Sequence, residues 1–257
     1  MMICRLCGNN KFQTIYHYME PDKYEQSINI SGGRSWLRCT NCRFFVQHHT
    51  YDPIKFTEAY IKTYRSAAFR NETIADTYLR ISRKKNNENS KRLKILSPYI
   101  RGTNMMDFGS GFGLWPASLN HNVNVDCVEI NEDSVRFIND SLGMACHVKI
   151  PDRKYNTISC IHTLEHIKDP ERLLSTFRKH LYKDGILLLE VPDSDEFKYL
   201  DRDNDEFNSC HLYFFSVPNL YQMVTWCGFT VKRIECVHHQ ERNLKRILLV
   251  AENAIEK

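Results

Sequence analysis

The chain has 257 residues, enough for one large domain and a small appendage. Its 35 basic and 31 acidic residues nearly balance, so the composition does not require a nucleic-acid partner. No apolar run is long enough to span a bilayer, and the polar start MMICRLCGNN does not fit a signal peptide, so we expect a cytoplasmic protein without a membrane partner. In a reducing compartment its ten cysteines are expected to be metal ligands or buried thiols, not disulfides.

Two CxxC pairs mark the N-terminal part of the chain. Zinc binds four thiolates in a tetrahedron, and a hairpin between the pairs, predicted at residues 11–18 and 34–38, would bring them together. Four protein thiolates leave no open coordination position, so we expect a structural Zn²⁺ in a zinc-binding domain of residues 1–50. Four unrelated thiols are the alternative. The expected ligands are Cys4, Cys7, Cys39 and Cys42.

Residues 51–89 are predicted to form a helical connector that also reaches the acceptor side. Phe56, Tyr60 and Tyr64 recur every four residues and therefore share one helix face. We expect Phe56 in the core. Tyr60 and Tyr64 fit equally well in the core or in a substrate pocket that their hydroxyls would line.

A basic segment ends the helix that we predict from residue 65 to residue 94. Glu88 is the single acid among its last fifteen residues. Such a run usually forms a solvated face, and contact with a diphosphate or an RNA backbone is the alternative. No aromatic residue is interleaved with it, which argues against single-stranded RNA. Its basic members are Arg80, Arg83, Lys84, Lys85, Lys91, Arg92 and Lys94.

The stretch NMMDFGSGFG, residues 104–113, predicts a strand that turns sharply into a helix. Glycines allow positive φ and close approach of a ligand, and the helix N-terminus offers unpaired N–H groups. A second strand is predicted at 124–130. Glu129 ends it, where a carboxylate of a doubly wound sheet accepts both ribose hydroxyls; a solvated glutamate is the alternative. The spacing is Asp-x-Gly-x-Gly-x-Gly, whereas dinucleotide binders have Gly-x-Gly-x-x-Gly.

The rest of the chain alternates predicted strands and helices, which indicates an α/β, Rossmann-like fold. The predicted helices are 132–142, 171–181 and 217–227. The predicted strands are 145–150, 155–161 and 186–192, and an antiparallel pair at 229–239 and 243–253. We expect five thiols to be buried in these elements: Cys127, Cys146, Cys160, Cys227 and Cys236.

Two polar stretches are expected at the ligand-binding edge of this sheet. The sequence HTLEH, residues 162–166, follows the strand 155–161, and ligands of open α/β sheets lie at the carboxyl ends of the strands. Residues 193–215 are too irregular for a core element and are interpreted as a lid or acceptor-binding insertion. This insertion is expected to bring His211 to the same edge.

From residue 90 to residue 252 the chain resembles the class I S-adenosylmethionine-dependent methyltransferases. The shared landmarks are the glycine loop, LEH after the fourth strand, Asp-Gly before the fifth, and the antiparallel hairpin. The resemblance implies a class I methyltransferase sheet over residues 90–257, with S-adenosylmethionine at its carboxyl edge. The expected cofactor-binding residues are Asp107, Gly109, Ser110, Gly111, Gly113, Glu129, Ile130, His162 and Thr163.

The four-cysteine knuckle, the aromatic helix and the HLYFFS segment together are similar to the nucleotide-sugar C-methyltransferases of deoxysugar biosynthesis. This resemblance implies that Tyr64, His166 and His211 surround the acceptor. The family usually has a Tyr-x-Glu-His pattern, where this chain has Asn208 and Cys210 before the histidine. It also usually carries a further C-terminal domain. Because the apparatus for a carbon acid is incomplete, we expect O-methylation rather than C-methylation.

The predicted function is methyl transfer from S-adenosylmethionine to a small polar acceptor. The expected acceptor is a sugar or sugar-linked group, such as a nucleotide sugar or a glycan precursor of a surface or capsule polysaccharide. His211 is the first choice for the general base and His166 the second, and a hydrogen-bonding role in the lid is an equal alternative for His211. Two other functions are open: an RNA or protein methyltransferase that uses the zinc knuckle to hold a macromolecule, and a non-catalytic zinc-ribbon binding protein.

Overall fold

The computed structural model describes residues 2–30, 32–51, 72–84, 88–119, 122–239 and 244–253. Within them the chain forms a four-stranded and a seven-stranded sheet. The predicted aromatic stripe of Phe56, Tyr60 and Tyr64 lies outside the described residues, so its expected role stays a prediction.

The four-stranded sheet is antiparallel and has the order β1-β2-β3-β9. The predicted hairpin is confirmed, because β1 pairs with β2 and places Phe12 opposite Cys39, beside the cysteine pairs. The fourth strand comes from the far end of the chain, so this sheet is completed by the predicted insertion. Its strands are β1 (Phe12–Tyr18), β2 (Arg34–Cys39), β3 (Phe45–His49) and β9 (Tyr213–Phe214).

The seven-stranded sheet has the order β10-β11-β8-β7-β4-β5-β6, in which β6, β5, β4, β7 and β8 are parallel and the last two strands form the predicted antiparallel hairpin. The chain leaves β4 toward β5 on one side and returns to β7 on the other, and ligands bind at such a reversal of strand order. The strands are β4 (Asn104–Phe108), β5 (Asn124–Val128), β6 (Cys146–His147), β7 (Tyr155–Ile161), β8 (Leu181–Pro192), β10 (Phe229–His239) and β11 (Leu244–Asn253).

Helices cover this sheet, and the apolar strands β7 and β8 lie between them, with Ile158 and Leu188 fully buried. The predicted helix 217–227 is present, and Ser216 caps it by accepting the N–H of Asn219, with Pro218 in its first turn. The α-helices of the described residues are α1 (Lys23–Ser27), α2 (Ile74–Ser82), α3 (Glu88–Leu96), α4 (Leu114–Ala117), α5 (Glu132–Arg136), α6 (Pro170–His180) and α7 (Val217–Trp226).

Several predicted elements have different bounds. The helix predicted from residue 65 is not continuous, because Thr73 and Asp76 form a capping box that starts α2 at Ile74. The predicted helix 132–142 is π-helical in its second half, and the predicted strand 145–150 is reduced to Cys146–His147. The turn predicted before the fifth strand lies within β8, where Asp184 has a φ of 62°.

The expectation that residues 193–215 are too irregular to form part of a core is wrong. Their backbone is irregular, with 3₁₀ turns at Ser194–Tyr199 and Asp205–Phe207. Phe197 and Phe207 of this segment are nevertheless buried. Phe197 stacks on Phe45 with ring centroids 4.3 Å apart and contacts Trp36 edge-on at 5.6 Å. The insertion therefore packs as part of the N-terminal unit.

The core is continuous between the two sheets, since Cys4, Leu6 and Phe44 belong to the same buried cluster as Phe215 and Leu220. The prediction of buried thiols is confirmed for three residues, Cys127, Cys146 and Cys160. Cys227 is partly exposed. The prediction is wrong for Cys236, which is exposed because β10 is an edge strand, and its thiol donates to Asp193 at 3.2 Å.

Candidate active site

The glycine loop follows β4 at the reversal of strand order. Gly109, Gly111 and Gly113 have φ values of 75°, 58° and 78°, in the left-handed region that glycine adopts without strain. A Cβ on Gly109 would lie 2.2 Å from the hydroxyl of Thr163, so the first glycine is also required by close packing of the loop against the turn after β7. Ser110 is buried in this loop, and its hydroxyl donates to the carbonyl of Asp107.

Glu129 lies at the end of β5 and is joined to this loop by hydrogen bonds. One carboxylate oxygen accepts the N–H of Gly111 at 2.7 Å, and the other accepts the N–H groups of Ile130 at 2.8 Å and Asn131 at 2.9 Å. These contacts use three of the about four lone-pair positions of a carboxylate. The glutamate thus fixes the loop and keeps acceptor capacity toward a ligand.

Asp107 ends β4 beneath the loop and is almost completely buried. Burial raises the pKa of its carboxyl group to about 6, although the hydroxyl of Ser159 donates to it at 2.5 Å. Ser159 in turn accepts from the indole N–H of Trp115 at 3.1 Å. The residue is therefore held in a small polar network inside the sheet.

The turn after β7 carries the HTLEH sequence. His162 has a φ of 49°, which is strained for a residue with a side chain, and its backbone N–H donates to the carbonyl of Glu190 on β8. Its ring nitrogens face two carboxylates: Nε2 is 2.9 Å from Glu190 and Nδ1 is 3.5 Å from Glu165. Burial opposes protonation, but these two carboxylates raise the pKa of His162 above its usual value.

Backbone hydrogen bonds bring His211 to this turn. The N–H of Leu212 donates to the carbonyl of Glu165 at 2.8 Å, and the N–H of Gln47 on β3 donates to the carbonyl of Leu212 at 2.8 Å. The segment before β9 is thus held between the small sheet and the turn after β7. As a result the rings of His166 and His211 have centroids 4.7 Å apart.

Glu165, His166 and His211 form a compact cluster, each offering one atom within 4.8 Å of the others. Nδ1 of His166 lies 2.8 Å from the carbonyl of Cys210, and Nδ1 of His211 lies 2.7 Å from the carbonyl of Glu206. Burial, with His211 adding to it, lowers the pKa of His166 to about 4. The ring of His166 is therefore neutral near pH 7 and able to accept a proton.

A series of ion-pair contacts connects helix α3 to the cluster. Arg92 on α3 binds both oxygens of Glu190 at 2.6 and 2.7 Å, and Glu190 contacts His162, which faces Glu165. Arg92 is only 6% exposed, so the expected solvated basic face does not include it. Glu190 was not predicted as a site residue. The only sign of it in the sequence is that it is a single acidic residue inside the apolar run ILLLEVP.

One cavity of about 1030 Å³ is lined by the cluster, by Asp107, Glu129 and His162, and by Gly109 and Gly111 of the glycine loop. Ligand pockets have volumes of about 300–1,000 Å³, so this cavity has room for a nucleoside cofactor beside a small acceptor. The glycine loop, Glu129 and Ile130 form one part of the wall, and the predicted Thr163 and His162 lie between this part and the cluster. Helix α1 contributes Lys23 and Tyr24, and the insertion contributes Asp205, Glu206 and Asn208.

The four N-terminal cysteines are brought together outside this cavity. Sγ of Cys4 lies 3.5 Å from that of Cys42, and Sγ of Cys7 lies 3.5 Å from that of Cys39. Zn–S bonds of about 2.3 Å in a tetrahedron place sulfur atoms about 3.8 Å apart, so the four side chains fit a zinc ion with little movement. The amide of Asn9 also contacts the sulfur of Cys39 at 3.4 Å.

This strand order, with the glycine loop after β4, the acid after β5 and the antiparallel ending, defines a Rossmann-like methyltransferase fold. The profile of a family described as a methyltransferase domain matches residues 66–234. The chain belongs to this family and is an S-adenosylmethionine-dependent methyltransferase. No curated protein matches the sequence.

Solved structures with the same fold are distant in sequence. Magnesium protoporphyrin IX methyltransferase of Synechocystis PCC 6803, with bound S-adenosylhomocysteine, superposes with a TM-score of 0.56 at 14% identity, covering 79% of this chain and 100% of that one. A methyltransferase of Thermotoga maritima gives 0.55 at 16% identity, with 70% and 94% covered. The [4+2]-cyclase SpnF gives 0.52 at 12% identity, with 65% and 81% covered. These similarities concern the fold alone. No helix among the described residues has the length and apolarity needed to cross a membrane.

Proposed function

We propose that the chain transfers the methyl group of S-adenosylmethionine to an oxygen of a small polar acceptor, a sugar or sugar-linked group of surface polysaccharide biosynthesis. The observation that carries this proposal is the position of the Glu165, His166 and His211 cluster in the same cavity as the glycine loop. The cofactor would be held by the glycine loop and Glu129, and the acceptor would lie against the two imidazoles.

The bound cofactor supplies an electrophilic methyl group, so the protein has to orient the acceptor and remove one proton. The acceptor oxygen forms a bond to the methyl carbon, the carbon–sulfur bond breaks with its electron pair remaining on sulfur, and the hydroxyl proton passes to an imidazole Nε2. His211 remains our first candidate for this base and His166 the second. In both rings Nδ1 donates to a backbone carbonyl, which leaves Nε2 as the proton acceptor.

The cavity wall on the acceptor side supports a hydroxyl-bearing acceptor. Asn208 and Lys23 line it, together with the ion pair of Arg246 and Glu206, whose closest atoms are 2.9 Å apart. Burial raises the pKa of the Cys210 thiol well above its usual value. Cys210 therefore does not replace, as a base, the glutamate of the Tyr-x-Glu-His pattern. The polar wall, and the lack of a carboxylate at position 210, favour O-methylation over C-methylation.

The basic segment gives less support to a macromolecular acceptor than its sequence suggested. Arg92 is buried against Glu190, and Arg80 binds both oxygens of Glu72. These guanidinium groups are committed to internal ion pairs, which speaks against RNA as the substrate. A macromolecular methyltransferase would instead show strongly salt-dependent RNA binding.

The first test of the proposal is calorimetric titration of the purified chain with S-adenosylmethionine, S-adenosylhomocysteine and NAD. We expect micromolar binding of the first two and none of NAD. A screen of nucleotide sugars and glycan precursors with labelled S-adenosylmethionine should then identify a methylated product. Binding of S-adenosylmethionine without transfer to any acceptor would favour the non-catalytic alternative, and NAD binding alone would exclude methyl transfer.

A further inference from the structure

We propose that Glu165, His166 and His211 form a second metal site, which binds a divalent transition-metal cation with nitrogen and oxygen ligands. The site lies in the cavity and is separate from the four-cysteine site. Cation binding does not depend on the proposed function; only the statement that the cation would face the acceptor rests on it.

The geometry of the cluster is close to that of a coordination site. Two imidazoles and one carboxylate each offer one ligand atom, and the three atoms lie within 4.8 Å of one another. Ligands that share a zinc-sized cation at about 2.1 Å lie roughly 3–3.5 Å apart, a spacing that small side-chain rotations can reach. Three protein ligands of this kind leave open positions for a bound oxygen.

Both imidazoles have the orientation that metal-binding histidines usually show. Nδ1 of His166 is 2.8 Å from the carbonyl of Cys210, and Nδ1 of His211 is 2.7 Å from the carbonyl of Glu206. A carbonyl only accepts, so each Nδ1 carries the hydrogen, and in the neutral form of either ring the lone pair is on Nε2. Such a contact on the opposite nitrogen fixes tautomer and ring orientation in metal sites.

Glu165 supplies the independent observation that points to a ligand. The side chain is 1% exposed, and within the described part of the chain neither carboxylate oxygen has a hydrogen-bond partner. Its ion-pair contact among the described residues is with His162, whose Nδ1 lies 3.5 Å away, beyond a normal hydrogen bond. A buried carboxylate without hydrogen bonds is costly, and a cation coordinated by one of its oxygens would supply the missing partner.

The ligand chemistry separates this site from the cysteine site. Four thiolates suit Zn²⁺ in a closed tetrahedron, whereas two imidazoles and a carboxylate suit Zn²⁺, Fe²⁺, Co²⁺ or Ni²⁺ with open positions. A cation there would use the Nε2 lone pairs of both histidines. The cation-bound state and the general-base role of either histidine therefore exclude each other, and the acceptor would be an oxygen ligand in the cation-bound state.

Cobalt titration of the metal-free, full-length chain tests the site. We expect two equivalents per chain: one with the thiolate-to-metal charge-transfer absorption of the cysteine site, and one with ligand-field bands alone. Glu165→Gln and His211→Ala should each weaken the second equivalent about 10-fold or more and leave the first unchanged. Cys39→Ser should remove the first. The matched control is His180→Ala, a half-buried histidine outside the cavity whose Nδ1 also contacts a carbonyl, that of Arg153 at 3.0 Å.

One equivalent in the wild-type chain, or a second equivalent that survives in both cluster variants, would overturn the proposal. Circular dichroism and calorimetric S-adenosylmethionine binding of Glu165→Gln would test whether this variant is folded. If the wild-type chain binds S-adenosylmethionine but only one metal equivalent, the proposal of a second metal site is wrong and the proposed function is unaffected. Two equivalents without S-adenosylmethionine binding would retain the cation site and contradict the proposed function.

Discussion

Two walls of the cavity are built in opposite ways: the glycine loop with Glu129, where we propose that the cofactor binds (the cofactor edge), and the cluster of Glu165, His166 and His211, where we propose that the acceptor binds (the acceptor edge). Glu129, on the cofactor edge, accepts three backbone N–H groups, all from residues within twenty positions of it in the chain. Glu165, on the acceptor edge, is even more deeply buried but has no hydrogen bond from the described residues, and its neighbour His211 comes from 46 positions later in the sequence. The first carboxylate stabilises its own loop, whereas the second is positioned for something that binds.

The largest effect is expected from breaking the unit that holds the acceptor edge. Cys39→Ser should abolish zinc binding at the cysteine site and lower the free energy of unfolding by on the order of 5 kcal/mol, because structural zinc contributes directly to folding. Metal analysis and thermal unfolding measure both. Cys236→Ser is the control, since this thiol is exposed and lies on the edge strand β10 of the other sheet.

We expect Cys39→Ser to abolish acceptor methylation while S-adenosylmethionine still binds. The reason is that the small sheet supports His211 and does not contact the glycine loop by β pairing. Unchanged zinc content and unchanged stability would show that the four cysteines are not a metal site.

A second experiment tests whether Asp107, beneath the glycine loop, is protonated in the folded chain. Burial raises the pKa of Asp107 to about 6, so the folded chain keeps a proton that the unfolded chain releases near pH 3.8. Stability contributed by this group is therefore lost as the pH rises from about 4 to 6, by ~3 kcal/mol. Chemical denaturation of Asp107→Asn and wild type should show the variant gaining relative stability over this window. A pH-independent difference would mean that Asp107 ionises normally.

On the acceptor edge, His211→Ala should lower turnover ~10²-fold or more if this histidine removes the proton. Steady-state kinetics with the acceptor found by screening give kcat and KM separately. A rise confined to KM would reduce His211 to a positioning residue and make His166 the remaining candidate. S-adenosylmethionine binding should not change, which keeps the two edges distinguishable.

The smallest effect is expected for Glu129→Ala. Loss of charged hydrogen bonds to the ribose should weaken S-adenosylmethionine binding by ~1–3 kcal/mol, measured by calorimetry. Glu129→Gln is the matched control, because its amide oxygen can still accept a backbone N–H. Unchanged affinity in both variants would leave Glu129 with the loop-fixing role alone.

The sequence by itself was sufficient for the parts whose physics is local. The glycine loop is recognisable because positive φ restricts residue choice at fixed spacing, and Glu129 because it ends the next strand. The cysteine pairs and the antiparallel ending were likewise predictable, since CxxC spacing and alternating apolar runs reflect short-range geometry.

Tertiary structure decided the acceptor edge, because its contacts join segments that no local pattern relates. The sequence offered no sign that residues 193–215 complete the small sheet and its core, since their 3₁₀ turns lack a periodic apolar pattern. Arg92 was interpreted as part of a solvated face because its partner, Glu190, lies 98 residues later. The pairing of His166 with His211 depends on two hydrogen bonds through Leu212, which form only when both sheets are in place.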